Sequence, residues 1–471
     1  MLALHATARK LRPLLVERDD FGEHTSFNSL RIIHGGLRYL QSFDLRRFFE
    51  SVYERRWFLS EFPEFIKPLP CLMPLYGHGL KRNSIMRAAL ATNDILSGMR
   101  NLGVPTKNRL PRGRVVGKEE AIQLFPSLIK DGLQGAALWH DAALSDSPRL
   151  VMELLHWSAV NGADLLNYVE AKSLVAESGR ISGLNVIDRV TGERYKFSTS
   201  LIINTTGPWL DQTAVLLGAT ESKLFWPSLA WNLWMDCDAP SEYALAVTPA
   251  YAGAPTYFLH PWKGNLLIGT GHAPWSGLPE KPKPSCEQIE HMLGDINLAI
   301  PGLELNMKKV RRIFSGLLPA RKRGSAEISV RPHFHKHVEP GTPQGLHSVY
   351  GVKFTTSRRV AITTLNKIFG KSHSANASFR RPVSRSGWCV RNLDLNDQCA
   401  IKSVLSDLQK LIADEAVVHL GDLVIRRTDL WENPTIVQKL SSAICDLFPW
   451  DEERKMLELR LLESELDYLE E

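Results

Sequence analysis

The sequence predicts an α/β fold in three parts: a nucleotide-binding domain, an antiparallel β domain inserted into it, and helices at the C-terminus. Three observations lead there. The apolar run Leu14-Leu15-Val16 ends in Glu17, and a strand closing on a carboxylate is how a dinucleotide fold offers an acceptor to a ribose hydroxyl. Between about 219 and 330 strand-like, aromatic-rich segments predominate. From about 393 the chain reads as helices with an acidic tail.

The elements follow in order. Residues 2–10 read as the end of an Ala-rich helix and 11–17 as a buried parallel strand. Next comes Ile32-Ile33-His34-Gly35-Gly36-Leu37-Arg38-Tyr39-Leu40. Its Gly-Gly step lets main chain approach a flat ligand with no Cβ in the way, and Arg38-Tyr39 sets a fixed charge and a phenol beside it. Residues 44–62 carry apolar side chains at helical spacing. Pro63, Pro68, Pro70 and Pro74 then break the chain into turns and extended pieces. A second helical patch covers 82–99, and 147–161 forms a helix with Pro148 in its first turn. Strands with glycine turns cover 163–170, 171–176 and 181–188, and the strand 201–203 leads into Asn204. Within the β part, 276–284 is a surface loop and 286–299 a helix; 359–369 is helical, and 371–390, rich in Ser and Arg, is a linker.

Composition narrows the class. A chain of 471 residues is long for one core. A net charge of +6 is small at this length. It describes a solvated basic exterior before an attraction to anionic substrates or an anionic membrane surface, and no nucleic-acid partner is expected. Six scattered cysteines without paired spacing read as reduced thiols. No apolar run of about 18 residues is present to span a membrane. The expected setting is therefore cytoplasmic.

The stretch 14–40 resembles the start of the FAD-dependent glycerol-3-phosphate dehydrogenases, within the D-amino-acid-oxidase-like flavoproteins. Three later segments agree in order: Asn204-Thr205-Thr206-Gly207-Pro208-Trp209, Phe258-Leu259-His260-Pro261-Trp262 running into Ile268-Gly269-Thr270, and Gly351-Val352-Lys353-Phe354-Thr355-Thr356-Ser357-Arg358. The resemblance implies a Rossmann-like FAD-binding domain (1–218, with a helical insertion at about 80–145) and an inserted antiparallel β substrate domain (219–330). A return to the FAD domain (331–370), a linker (371–392) and a C-terminal helical domain (393–471) complete it. The family's first strand and G-x-G-x-x-G turn precede the Ala-rich helix, and Met1 falls inside that helix. The expectation is an N-terminal truncation, through a misplaced start or a real loss of that segment.

The resemblance also assigns roles. Glu17 would hold the adenosine ribose; Thr25, Ser26 and Ser29 the pyrophosphate; Ala171 would lie against adenine. His34, Gly35, Gly36, Thr206, Gly207, Gly351, Lys353, Thr355 and Thr356 would border the flavin. Arg38, Tyr39, Arg331 and Lys353 would bind an anionic substrate, since a phosphate wants guanidinium forks and a point-charge ammonium. Arg38, Lys353 and His34 would be catalytic, with His34 the base or a flavin contact. A quinone acceptor and peripheral contact with the cytoplasmic membrane are implied with them; the oligomeric state stays open.

Departures qualify the substrate. Ser315-Gly316-Leu317-Leu318-Pro319 has Leu318 where the family carries Arg. Leu229-Ala230-Trp231 stands near an expected His, and His272 follows Gly-Thr-Gly where Asp is usual. The substrate is therefore expected to differ from glycerol 3-phosphate or to bind more weakly. His333, His335 and His337 alternate on one strand face, but with no carboxylate cluster recognised beside them they give no metal site. Three functions stay open: a glycerol-3-phosphate-dehydrogenase-like enzyme, a related flavin oxidoreductase acting on another alcohol or amine, and a non-catalytic protein without FAD.

Overall fold

The computed structural model describes residues 1–77, 79, 82–220, 222–371, 380–382, 390 and 393–466. Most of the expected linker and the end of the acidic tail lie outside them. The nucleotide part is built on two parallel pairs. Leu14–Val16 runs beside Asp164–Leu166, with Leu14 opposite Asp164. Ile202–Asn204 runs beside Leu346–Tyr350, with Ile202 opposite Leu346, and His333–Lys336 adds to that pair antiparallel. Val169–Glu177, Arg180–Asp188 and Arg194–Ser198 make a separate antiparallel meander.

The large sheet corrects two expectations. Its strands run Val310–Pro319, Pro227–Asp238, Asn265–Pro274, Tyr257–Trp262, Ala244–Val247, Ile66–Leu75, Gly135–Leu144 and Ile32–Ile33, with Arg114–Val116 also on Gly135–Leu144. It is mixed rather than antiparallel, because Ala244–Val247 pairs parallel with Ile66–Leu75. It also draws strands from the segment expected to be a helical insertion. Gly135–Leu144 is buried along nearly its whole length, and a short run buried on both faces carries no alternation to distinguish strand from helix.

Prolines were expected to break 63–74, yet Ile66–Leu75 is one ten-residue strand. Pro68, Pro70 and Pro74 all occupy even positions, and the backbone of odd-numbered Leu75 bonds Gln134 at the Gly135–Leu144 edge. The missing donors therefore face the other edge, where Ala244–Val247 pairs only with Cys71 and Leu72.

The helix Cys286–Ala299 starts on a capping box between Ser285 and Gln288. It buries Ile289, Met292, Leu293 and Ile296 against Leu229, Leu233, Leu259 and Ile268 of the sheet. The C-terminal helices, expected as a separate domain, share a core with the rest. Trp431, Leu423 and Leu440 cluster with Phe27, Trp234, Trp262 and Phe314. Fully buried Asp20 accepts from Arg426 Nε at 2.6 Å and from Arg427 Nη1 and Nη2 at 2.7 and 2.8 Å. An ion pair this deep is uncompensated if either side leaves, so the C-terminal helices are bound to the first domain.

Candidate active site

Gly35 and Gly36 serve the fold before any ligand. The buried Arg55 guanidinium lies beneath Gly35, where an added Cβ would come within 1.9 Å of it. Asp141 holds both, accepting from Gly35 N at 2.6 Å and from Arg55 Nη1 at 2.7 Å. Gly36 has φ +86° and caps the helix Leu37–Gln41, with Phe48 backbone 3.3 Å from where its Cβ would be. The close approach foreseen for a flat ligand is thus met first by the protein's own side chains. The turn throws His34, Arg38 and Tyr39 outward. Sequence reading missed Arg55; the trace it leaves is a charge on the buried stripe of the helix Leu45–Glu61.

Hairpin geometry brings the distant cations here. His333 pairs with Tyr350, so Arg331 and Lys353 extend from the two strands at the open end of one hairpin. Gly351, at φ +72°, sits against Arg331, whose carbonyl would be 3.1 Å from an added Cβ. Lys353 Nζ donates to Tyr39 Oη at 3.1 Å, and the Arg47 guanidinium covers the Tyr39 ring at 4.6 Å. Arg331 lies further out, 70% exposed and 3.9 Å from the Asp44 carboxylate that also holds Arg47. Arg38, Tyr39 and Lys353 therefore gather closely, with Arg331 at the rim.

His34 retains solvent contact, yet burial pushes its imidazole below the ordinary value. Asp141 opposes that, while Lys353, Arg55 and Arg38 add to it. His272, also exposed, is lowered by burial and then by Arg38, so Arg38 lies near both histidines. His272 was noted in the sequence only as a departure. In the sheet, His272 lies opposite Ala230, which lies opposite Gly316, two residues before Leu318. Leu318 and His272 therefore share a sheet face, and that face carries an isobutyl group where a guanidinium was expected.

The residues expected to hold the cofactor divide into two ends. At one, burial raises the Glu17 carboxyl, which accepts from Asp19 N at 3.1 Å. Val169 N bonds Glu17 O at 2.8 Å, and Ala171 packs in the same cluster as Val16 and Leu166. At the other, Thr355 is buried and Thr356 precedes the helix Ser357–Phe369, whose N-terminal amides favour negative charge. Gly207, at φ +55°, faces open space, whereas the Thr206 hydroxyl is used within its turn, bonding Asn204 Oδ1 at 2.8 Å. Thr25 packs so closely that a Cβ on Gly316 would fall 2.9 Å from its hydroxyl, and Ser29 Oγ accepts from Arg31 N. Ser26 is exposed in the same turn. The two groups supply a carboxylate and a helix N-terminus, acceptor and donor chemistry suited to a nucleotide cofactor's sugar and its negatively charged part.

Residues 1–361 match the family of FAD dependent oxidoreductases, DAO, and the chain belongs to that family. In sequence it is similar to the glycerol-3-phosphate dehydrogenase of Synechocystis sp. (30% identical over 378 residues, covering 77% of this chain and 66% of that protein). It is also similar to the mitochondrial glycerol-3-phosphate dehydrogenase of Bos taurus (29% over 399 residues, 81% and 52%). The chain thus spans between about half and two thirds of these relatives' length. In fold it is similar to the glycerol-3-phosphate dehydrogenase of Bacillus halodurans complexed with FAD, with TM-score 0.72 at 19% identity over 100% of this chain and 93% of that one.

Proposed function

We propose that the protein oxidises a hydroxylated, anionic small molecule, a phosphorylated polyol in the manner of the relatives named glycerol-3-phosphate dehydrogenase. The observation that carries this is the hydrogen bond from Lys353 to Tyr39, next to Arg38 and near His34. FAD, held between Glu17 and the Thr355–Thr356 turn, would supply a two-electron acceptor for hydride. Arg38 and Lys353 bind the anionic group and lower the cost of negative charge on the reacting oxygen. Tyr39 orients the Lys353 ammonium. His34, kept neutral by its surroundings, takes the hydroxyl proton on a ring nitrogen.

Passage of the electrons to a quinone at a membrane surface belongs to the same proposal and rests on the resemblance; no described helix is long and apolar enough to cross a membrane. The test is anaerobic mixing of FAD-loaded protein with glycerol 3-phosphate. Saturable bleaching of the flavin absorbance, reversed by a soluble quinone, is expected. Failure to retain FAD, or unbleached flavin with every phosphorylated polyol tried, overturns the proposal. A second reading, another alcohol or an amine, is favoured by Leu318 on the sheet face. It predicts bleaching by unphosphorylated substrates instead.

A further inference from the structure

The hairpin that carries Arg331 and Lys353 at its open end has a cluster of imidazoles towards its turn. The His335 and His337 rings meet edge to face with centroids 4.5 Å apart. Glu339, two residues on, reaches back to place Oε1 3.2 Å from His335 Nε2 and Oε2 3.9 Å from His337 Nδ1. One ligand atom from each of the three residues lies within 4.8 Å of the other two. The His-x-His alternation alone suggested no site for want of a carboxylate; Glu339 continues the alternation and supplies it.

A second observation is independent of this proximity. His337 is 2% exposed, and its Nδ1 is buried without a hydrogen-bond partner among the described residues. Its other nitrogen, Nε2, lies 2.8 Å from Ser348 Oγ. With Nε2–H donated to that hydroxyl, the lone pair sits on Nδ1. A hydrogen bond on the far ring nitrogen fixes the tautomer of a metal-binding histidine in the same way.

We infer that His335 Nε2, His337 Nδ1 and the Glu339 carboxylate form a site for a divalent transition ion of the zinc class. Two imidazoles and one carboxylate match that ion's ligand preference, whereas magnesium and calcium want oxygen shells. Tetrahedral coordination at about 2.0–2.1 Å needs ligand atoms roughly 3.4 Å apart, so the cluster would contract around the ion. Glu339 is only partly buried, which leaves water the fourth position. The ion would tie the hairpin near its turn, away from the open end that carries Arg331 and Lys353, and so acts on the fold rather than the chemistry.

The test uses full-length protein stripped of metal by a chelator and titrated with Zn2+ by calorimetry and with Co2+ by visible absorption. One ion per chain is expected, with the absorption of a tetrahedral cobalt centre and a raised melting temperature. Glu339→Gln and His335→Ala change partly exposed side chains and should each weaken binding at least tenfold. His333→Ala should not, because that ring stacks on Tyr350 and bonds Ser329. If the wild type binds zinc no more tightly than the Glu339→Gln, His335→Ala double variant, the inference is overturned, whatever the activity of the loaded enzyme.

Discussion

Two groups of basic residues in this chain do opposite things. Where the C-terminal helices meet the first domain, Arg149, Arg426 and Arg427 are almost fully buried and matched to carboxylates. Arg149 bonds Glu415 at 2.7 and 2.9 Å, and Arg426 bonds Asp422 at 2.7 Å in addition to Asp20. At the candidate site, Arg38, Arg331 and Lys353 are exposed. Lys353 rests on a neutral phenol, and Arg331 stands 3.9 Å from a carboxylate already engaged by Arg47. Charges satisfied by the protein hold it together; charges left facing water can bind a ligand.

Breaking the buried group should produce the largest effect. Asp20→Ala removes the carboxylate that two buried guanidiniums share, leaving Arg426 with Asp422, and is expected to cost about 3–5 kcal/mol, read as a fall in the urea midpoint. Acid tests the same contact. The two arginines pull the Asp20 carboxyl down to about 2 in the folded protein, from an ordinary 3.8. Its contribution is therefore complete above about pH 4 and is lost as pH falls through 2; Asp20→Asn should flatten stability over that window.

In the cleft the sign of the comparison reverses. Lys353→Met should lower kcat/KM by roughly 100-fold and shift stability by less than about 0.5 kcal/mol. A large fall in melting temperature would place Lys353 with the structural cations. Next in size, Leu318→Arg should restore a phosphate fork, lowering KM for a phosphorylated substrate roughly tenfold, equal to about 1.4 kcal/mol. An unchanged KM would mean this sheet face does not meet the phosphate. The last test reads a pH shift rather than a size and concerns His34. Because its imidazole is held below the ordinary value, it stays neutral as pH drops past about 6.5, so the acid limb of the rate profile should lie below that value. His34→Asn should abolish the limb.

Local signals carried much of the architecture. The helix Cys286–Ala299 follows from its periodicity, the helix Ser147–Ala159 from Pro148 in its first turn, and the strand Ile202–Asn204 from its apolar run. What escaped depends on distant partners. Arg55 and Asp141 are 86 residues apart, and nothing near Gly35 tells that a guanidinium will fill the space beneath it. Asp20 and Arg427 are 407 apart, so the join between the domains was invisible. The even spacing of Pro68, Pro70 and Pro74 was visible, but its meaning requires knowing which edge the neighbouring strand leaves open. At the cleft, the resemblance supplied Arg38 and Lys353, whereas the place of His272 and Leu318 emerged only from strand register.

Asp20 stands only three positions after Glu17, on the segment that leaves the first strand. Arg426 and Arg427 thus grip the same short stretch that would receive the nucleotide's sugar. Anything that steadies this stretch from one side leaves less disorder to be removed from the other. With Glu17 in that role, nucleotide binding and docking of the last helices would be coupled equilibria, each promoting the other by the same factor.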